Sequence, residues 1–395
     1  MGVGTAAGDQ RTARKLIPLG LVTLTAGLST AIVMPFLALF LSDEVDVGPV
    51  RVTVFLVVSP LASVVMAWVI GRFSDRYPIR RALLIGASVA GAIGCALTAF
   101  VRDYFVLLGL TVTAIAVAAS LFPQSFAYAR QVLQRDDPSR AAMGISTLRT
   151  VFSLAWVAGP PLAAVLLETG GFRYLYGVAA VMYALAALVA VRWMVEIKDP
   201  ATPADQDEPV ARRPWMAWLA SVAFILLQTP LVLAVQALPL FLSRELDTGP
   251  GAAGLILGLC AALEIPLLLG FGWLSTRRSL RSLILFGGVC GVAYYTLATV
   301  ADSVWILVAG QILNAVFIAA VSGLGISYMQ DMLPREPGRA TTLFTNSFPI
   351  GAMLAGPLFG ISQSYGFRLA YAMSAALCLL GLLVLISVRR TRAVS

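Results

Sequence analysis

Residues Leu39–Pro49 read LFLSDEVDVGP, and residues Leu240–Pro250 read LFLSRELDTGP, 201 positions further on. At the same offset Gly71, Ser74, Arg76 and Arg80 meet Gly272, Ser275, Arg277 and Arg281, while Tyr104 and Gly109 meet Trp305 and Gly310. The offset then shortens: Ala158-Gly159-Pro160 returns as Ala355-Gly356-Pro357, and Gly171-Phe172-Arg173 as Gly366-Phe367-Arg368. A single match would be chance, but an ordered series through the chain is the signature of an internal duplication.

Around these markers the 395 residues are 59% hydrophobic and 12% charged, with a mean hydropathy of +0.87. Soluble domains carry about a quarter charged residues. Half that share cannot cover this much apolar surface in water, so a soluble enzyme, a disordered chain and a disulfide scaffold are all excluded. The apolar residues gather in twelve runs, near 16–41, 50–70, 82–100, 104–128, 144–168, 173–195, 215–242, 251–273, 282–300, 303–328, 341–362 and 367–388. Each is about the 20 residues that cross a hydrocarbon core as a helix. Run 1 follows Arg11, Arg14 and Lys15 like a signal peptide, but it is too long and has a copy later in the chain. The expected fold is an all-α membrane protein with twelve transmembrane helices in two parallel, pseudo-symmetric six-helix bundles. These would span 1–195 and 215–395, joined by a polar, proline-containing cytoplasmic linker over 196–214. Six crossings per copy is even, so both copies enter the membrane in the same direction, and parallel repeats place a shared cavity at their interface.

Of the 28 basic residues, 23 lie in the amino-terminal arm, the loops after even-numbered runs (including Arg149 and Arg192 just inside runs) and the tail. Only Arg51, Arg102, Arg173, Arg244 and Arg368 lie on the other side. Basic residues stay cytoplasmic, which puts both termini inside. The net charge of +8 therefore reports topology and not nucleic acid. The chain has no histidine, which removes the commonest proton shuttle and metal ligand and leaves protonation chemistry to carboxylates. Cys95, Cys260, Cys290 and Cys378 lie inside apolar runs with no CxxC and read as small buried hydrophobes. No GxxxxGK[ST] loop is present, so ATP is not the expected energy source, and no cofactor or metal is expected.

Between runs 2 and 3 stands Gly71-Arg72-Phe73-Ser74-Asp75-Arg76-Tyr77-Pro78-Ile79-Arg80-Arg81. It resembles the loop motif of the major facilitator superfamily, with Pro78 where a turn glycine is usual and Ile79 before the basic pair. The resemblance extends over essentially the whole chain. Leu39–Val45 (LFLSDEV), Tyr104–Leu108 (YFVLL), Pro123–Arg130 (PQSFAYAR) and Ser153–Leu162 (SLAWVAGPPL) are most similar to bacterial sugar efflux transporters. This implies a monomeric secondary transporter of the bacterial inner membrane, working in the lipid bilayer by alternating access. Its cargo would be sugars or glycoside-like solutes, exported against protons; a proton-coupled drug exporter is the close alternative. A membrane enzyme would need clustered nucleophiles, acids or metal ligands at membrane depth, and the runs offer none.

The expected gating and coupling residues are Asp75, Arg76, Arg80, Arg149 and Glu264. A carboxylate at Asp75 can cap the amino terminus of a neighbouring helix and pair with arginines; the resemblance implies that this neighbour is run 11. The other reading is that these arginines merely anchor topology. The second copy has Thr276 in place of Asp75, so any such latch is one-sided. Glu264 is the one acid well inside a run, at a cost of about 2.5–3.5 kcal/mol on insertion scales. Arg149 and Glu264 lie roughly 9 and 13 Å from the cytoplasmic ends of runs 5 and 8 at 1.5 Å per residue, depths that agree within about one turn. The superfamily makes these runs neighbours, so the two can form a protonation-sensitive pair, a static pair, or leave Arg149 snorkelling. By the repeat they map to Asn346 and Ser63.

The expected substrate-binding residues are Gln124, Trp156, Gln228, Gln236, Gln311, Asn314 and Asn346. Neutral amides on runs 4, 7 and 10, with Thr23, Thr30, Ser120 and Ser322, are what a sugar site uses beside aromatic faces such as Trp156 and Phe36. The resemblance implies that runs 1, 4, 7 and 10 line the cavity. The competing reading is hydrogen bonding between helices, averaging under about 1 kcal/mol each. The Gly-Pro elements of runs 5 and 11 read either as an export-type signature or as simple packing and kinking.

Overall fold

The computed structural model describes residues 3–136, 141–196, 214–334 and 336–388, and the described residues are helical with no strand among them. Residues 197–213 of the expected linker lie outside the described residues. Helix is the outcome the composition dictates, because a segment without water must satisfy every backbone N–H and C=O from within.

Among the described residues ten helices are long and apolar enough to cross a membrane, and they do not map one-to-one onto the twelve runs. Runs 5 and 6 share one of them, Thr147–Trp193, of 47 residues. It is two helices joined at a kink, since 47 unbroken residues at 1.5 Å each would reach about 70 Å, more than twice the roughly 30 Å hydrocarbon core. Gly171 breaks it with φ 63° and ψ −162°. Run 11 is not among the ten; its helix stops at Thr345 and starts again as Ser347–Tyr365, of 19 residues.

The repeat seen in the sequence reappears in the backbone. Among the described residues four have positive φ, and they form two repeat pairs: Asp46 (54°) with Asp247 (48°), and Gly171 (63°) with Gly366 (111°). An aspartate tolerates the left-handed conformation better than most side chains. After each aspartate the chain closes back on the helix it has left, with Val47 N–H donating to Leu41 O at 3.2 Å and Thr248 N–H to Leu242 O at 3.0 Å. Pro49 and Pro250 then open the next helices, a position where a missing N–H costs nothing.

The described residues fall into two compact units, drawn from Met1–Phe40 with Val58–Pro203 and from Leu41–Val57 with Ala204–Ser395. In the first, Val3–Val33 and Arg80–Thr98 both pack along Ala141–Trp193. Gly159 permits this, since a methyl group there would strike the Ala31 side chain and backbone. Packing therefore suffices to explain that glycine. The guanidinium of Arg81 donates to the carbonyls of Val191 (2.6 Å) and Ala190 (3.4 Å). Its backbone N–H donates to Glu196 Oε1 at 3.0 Å, so the start of run 3 and the end of run 6 satisfy each other's orphan groups.

In the second unit, Leu280–Thr299 packs on Val304–Met332 and Arg368–Ser387, Pro214–Glu245 packs on Ser347–Tyr365 and Arg368–Ser387, and Pro250–Leu274 packs on Val304–Met332. Residues 41–57 belong to this unit. Asp43 pairs there with its own repeat mate, Arg244, at 2.9 Å, and Gln363 Nε2 donates to Ser42 Oγ at 2.9 Å. Methyl groups on Gly356 or Gly360 would strike Val57 or Thr53.

Candidate functional site

Run 8 shows which way its polar residues face. Leu255, Leu259, Leu269 and Trp273 are exposed and fall in one stripe at about 100° per residue. Glu264 lies on the opposite side and is half-buried, and Cys260, one turn earlier, is 4% exposed. Run 10 behaves alike: Trp305 and Ile312 are exposed, while Asn314, on the far side of the helix, is half-buried and Gln311 is 1% exposed. Acid and amides thus turn away from the apolar faces that suit lipid.

Runs 8, 9 and 10 are tied together by side chains. Gln311 Nε2 donates to Leu307 O at 3.1 Å and to Tyr294 Oη at 2.9 Å. Asn314 Nδ2 donates to Gln311 Oε1 at 3.0 Å and to Cys260 Sγ at 3.4 Å. Gln311 and Asn314 are brought together as their spacing on one helix requires. Tyr294 and Cys260 are additions that the sequence did not disclose; the one hint was Cys260 standing four residues before Glu264, a spacing that shares a helix face.

On run 7, Gln228 Nε2 donates to Ser347 Oγ, which itself donates to Phe344 O. Gln236 is 7% exposed and its Oε1 has no partner. Asn346, beside Ser347, is exposed at the break between the two helices of run 11. In the first unit Gln124 donates to Ser74 Oγ at 3.3 Å, joining run 4 to run 2, while its Oε1 is unpartnered. Trp156 is half-buried. Thr23 is buried with an unpartnered hydroxyl, Ser120 bonds back to Val117 O, and Thr30 bonds to Ala26 O with Tyr183 Oη at 3.4 Å.

The gating candidates are placed as follows. Asp75 and Arg76 end the helix Pro49–Arg76; the side chain of Asp75 lies outside the described residues, and Arg76 is exposed. Arg80 is buried at the first position of Arg80–Thr98. Arg149, exposed, belongs to the first unit and Glu264 to the second.

Duplicated helical units with apolar outer stripes and inward neutral amides define a multi-pass membrane protein, and its family and relatives make it a transporter and not an enzyme. The chain belongs to the major facilitator superfamily: the model of the Major Facilitator Superfamily matches residues 19–235 and 220–395. It is 36% identical over 385 residues to sugar efflux transporter A of Dickeya chrysanthemi, covering 93% of this chain and 97% of that one. It is 32% identical over 345 residues to sugar efflux transporter C of Escherichia coli (strain K12), covering 86% and 87%. More distantly, it is 25% identical over 409 residues to the fosmidomycin resistance protein of the same organism, covering 97% and 95%. Its fold is similar to a crystal structure of the nucleoside transporter NupG, with a TM-score of 0.71 at 13% identity, covering 94% of this chain and 98% of that one.

Proposed function

We propose that the protein exports sugars or glycoside-like solutes from the bacterial cytoplasm by alternating access, driven by proton antiport. The kinship to proteins named sugar efflux transporters over most of the chain carries this reading. Chemistry agrees with it: Gln124, Gln228, Gln236 and Gln311 are at least nine-tenths buried, and neutral amides suit neutral hydroxyl-rich solutes. In this reading Gln124, Trp156, Gln228, Gln236, Gln311, Asn314 and Asn346 face the solute. Asp75, Arg76 and Arg80 form a latch made in one conformation. Arg149 and Glu264 form the protonation-sensitive pair.

The bundles that move are residues 1–195 and 215–395, making twelve crossings in the inner membrane with both ends cytoplasmic, in a monomer. The drug-exporter alternative draws support from the fosmidomycin resistance protein. Counterflow in proteoliposomes decides between them: exchange of labelled lactose without a lipophilic cation favours the sugar reading, and the reverse overturns it. Glu264→Gln tests the drive. Loss of the pH dependence of transport is expected, and unchanged dependence removes Glu264 from coupling.

A further inference from the structure

The loop after run 8 is more basic than its helix end requires. Residues Gly272–Arg281 read GWLSTRRSLR, with three arginines and no acid, because Thr276 stands where the first copy has Asp75. Arginines at the carboxyl end of a helix ordinarily serve its last carbonyls. Here the last four are taken without a guanidinium. Ser275 N–H donates to Phe271 O at 2.9 Å, and Ser275 Oγ to Gly272 O at 2.7 Å. Thr276 Oγ1 donates to Trp273 O at 2.8 Å, and the backbone N–H of Arg278 to Leu274 O at 2.9 Å. Arg281 turns away to donate to Ile386 O at 2.7 Å. Arg277 and Arg278 are exposed, and among the described residues their guanidinium groups have no hydrogen bond and no ion pair.

Arg277 is held in place all the same. Its guanidinium carbon lies 4.1 Å from the centre of the Trp273 ring, and Trp273 ends the exposed stripe of Leu255, Leu259 and Leu269. The first copy builds a like pair, with Arg72 at 5.6 Å from the Trp68 ring, at the end of an exposed stripe with Leu61 and Val65. The pairs are not copied place for place, since the 201-residue offset sets Arg72 against Trp273 and Arg76 against Arg277. A topology signal needs positive charge on one side but no particular seat for it. A guanidinium laid on an indole at the lipid boundary, in both copies, is such a seat. In the second copy no acid of the loop competes for it.

We propose that Trp273, Arg277 and Arg278 form a binding site for an anionic phospholipid, whose phosphodiester pairs with the two guanidinium groups while an acyl chain lies along the stripe that begins at Leu269. Arginine suits the headgroup because its planar fork makes paired bonds to phosphate oxygens. A lipid fits better than a soluble anion because the apolar stripe continues directly from the charge, as basic residues at a membrane boundary require of a lipid site. The site is independent of what the protein carries.

Native mass spectrometry of the full chain in detergent micelles, titrated with phosphatidylglycerol and with phosphatidylcholine of identical acyl chains, tests this. The wild type is expected to take its first phosphatidylglycerol about tenfold more tightly than its first phosphatidylcholine, since each arginine beside an anionic headgroup favours it about fivefold. Arg277→Gln is expected to cut that preference about fivefold, and Arg277→Gln with Arg278→Gln to leave little of it. Trp273→Ala, which removes the indole under Arg277, is expected to cut it about threefold, and Trp273→Phe, which keeps a ring, by less. Arg192→Gln removes an exposed charge at the end of run 6 and is expected to change nothing. Equal binding of the two lipids by the wild type overturns the proposal. So does a loss in Arg192→Gln as large as in Arg277→Gln, which would mean a diffuse field and not a site. Inorganic phosphate in excess is expected to leave the lipid bound; displacement would make this a soluble-anion site and overturn the lipid assignment.

Discussion

Glu245 holds three helix ends of the second unit, and removing its carboxylate is expected to loosen all three. Its Oε1 accepts from the backbone N–H groups of Phe367 and Arg368, the latter at 3.1 Å, at the amino terminus of Arg368–Ser387. Its Oε2 lies 3.1 Å from Arg368 Nε. Arg368 in turn donates to Thr299 O at 3.0 Å, at the carboxyl end of run 9, and stands over the Phe241 ring. Hydrogen bonds to charged groups are worth about 1.5–3 kcal/mol each. The side chains here are 20% and 40% exposed, so water recovers part of that. Glu245→Ala is therefore expected to cost about 2–4 kcal/mol. At roughly 2–4 °C per kcal/mol for chains of 150–250 residues, Tm falls by about 4–16 °C. Glu245→Gln keeps an acceptor for the backbone and is expected to lose about half as much. Thermal unfolding in detergent, run as a double-mutant cycle with Arg368→Ala, reads both quantities, and the two losses should be clearly non-additive. A Glu245→Ala protein melting within about 1 °C of wild type, or strictly additive losses, would refute the reasoning.

Gly366→Ala and Gly171→Ala force a side chain into positive φ; each is expected to cost about 1–3 kcal/mol, read as a fall in Tm, whereas Gly177→Ala, with open space around it, is expected to be nearly silent. Asp43→Arg and Arg244→Asp singly remove the exposed pair that ties residues 41–57 into the second unit. Each should cost about 0.2–1 kcal/mol, and the double exchange should restore the wild-type Tm at low salt. Arg81→Ala leaves the Val191 and Ala190 carbonyls without their donor, and Arg81→Lys, which lacks the fork of the guanidinium, is expected to rescue it only in part, as measured by thermal unfolding.

The repeat pairs residues of the two copies, and the structure keeps their roles alike unevenly. Asp46 and Asp247, and Gly171 and Gly366, share backbone conformations, because backbone geometry is set by a few local residues that duplication copied together. Side-chain roles drifted. Arg368 binds the carbonyl of Thr299 and covers Phe241, but in the first copy the carbonyl of Thr98 and the ring of Phe40 are served by Arg102. Arg173, the repeat mate of Arg368, covers Phe100 instead. A guanidinium on a long stem reaches such a spot from more than one place in the chain, so spacing does not specify which arginine arrives.

The sequence by itself determined the membrane class, the duplication, the superfamily and the polar residues worth watching. The first two follow from composition and from order along the chain, whereas the superfamily rests on the resemblance carried by residues 71–81 and a few short segments. Only the tertiary structure decided that Gly159 answers to Ala31 and that the chain passes from run 5 to run 6 through a kink at Gly171. It also decided that Cys260 and Tyr294 join Gln311 and Asn314. Those are matters of which way a side chain turns and what meets it from another helix. Residues 54 or 17 apart in sequence become partners only when packing sets the rotation of each helix about its own axis.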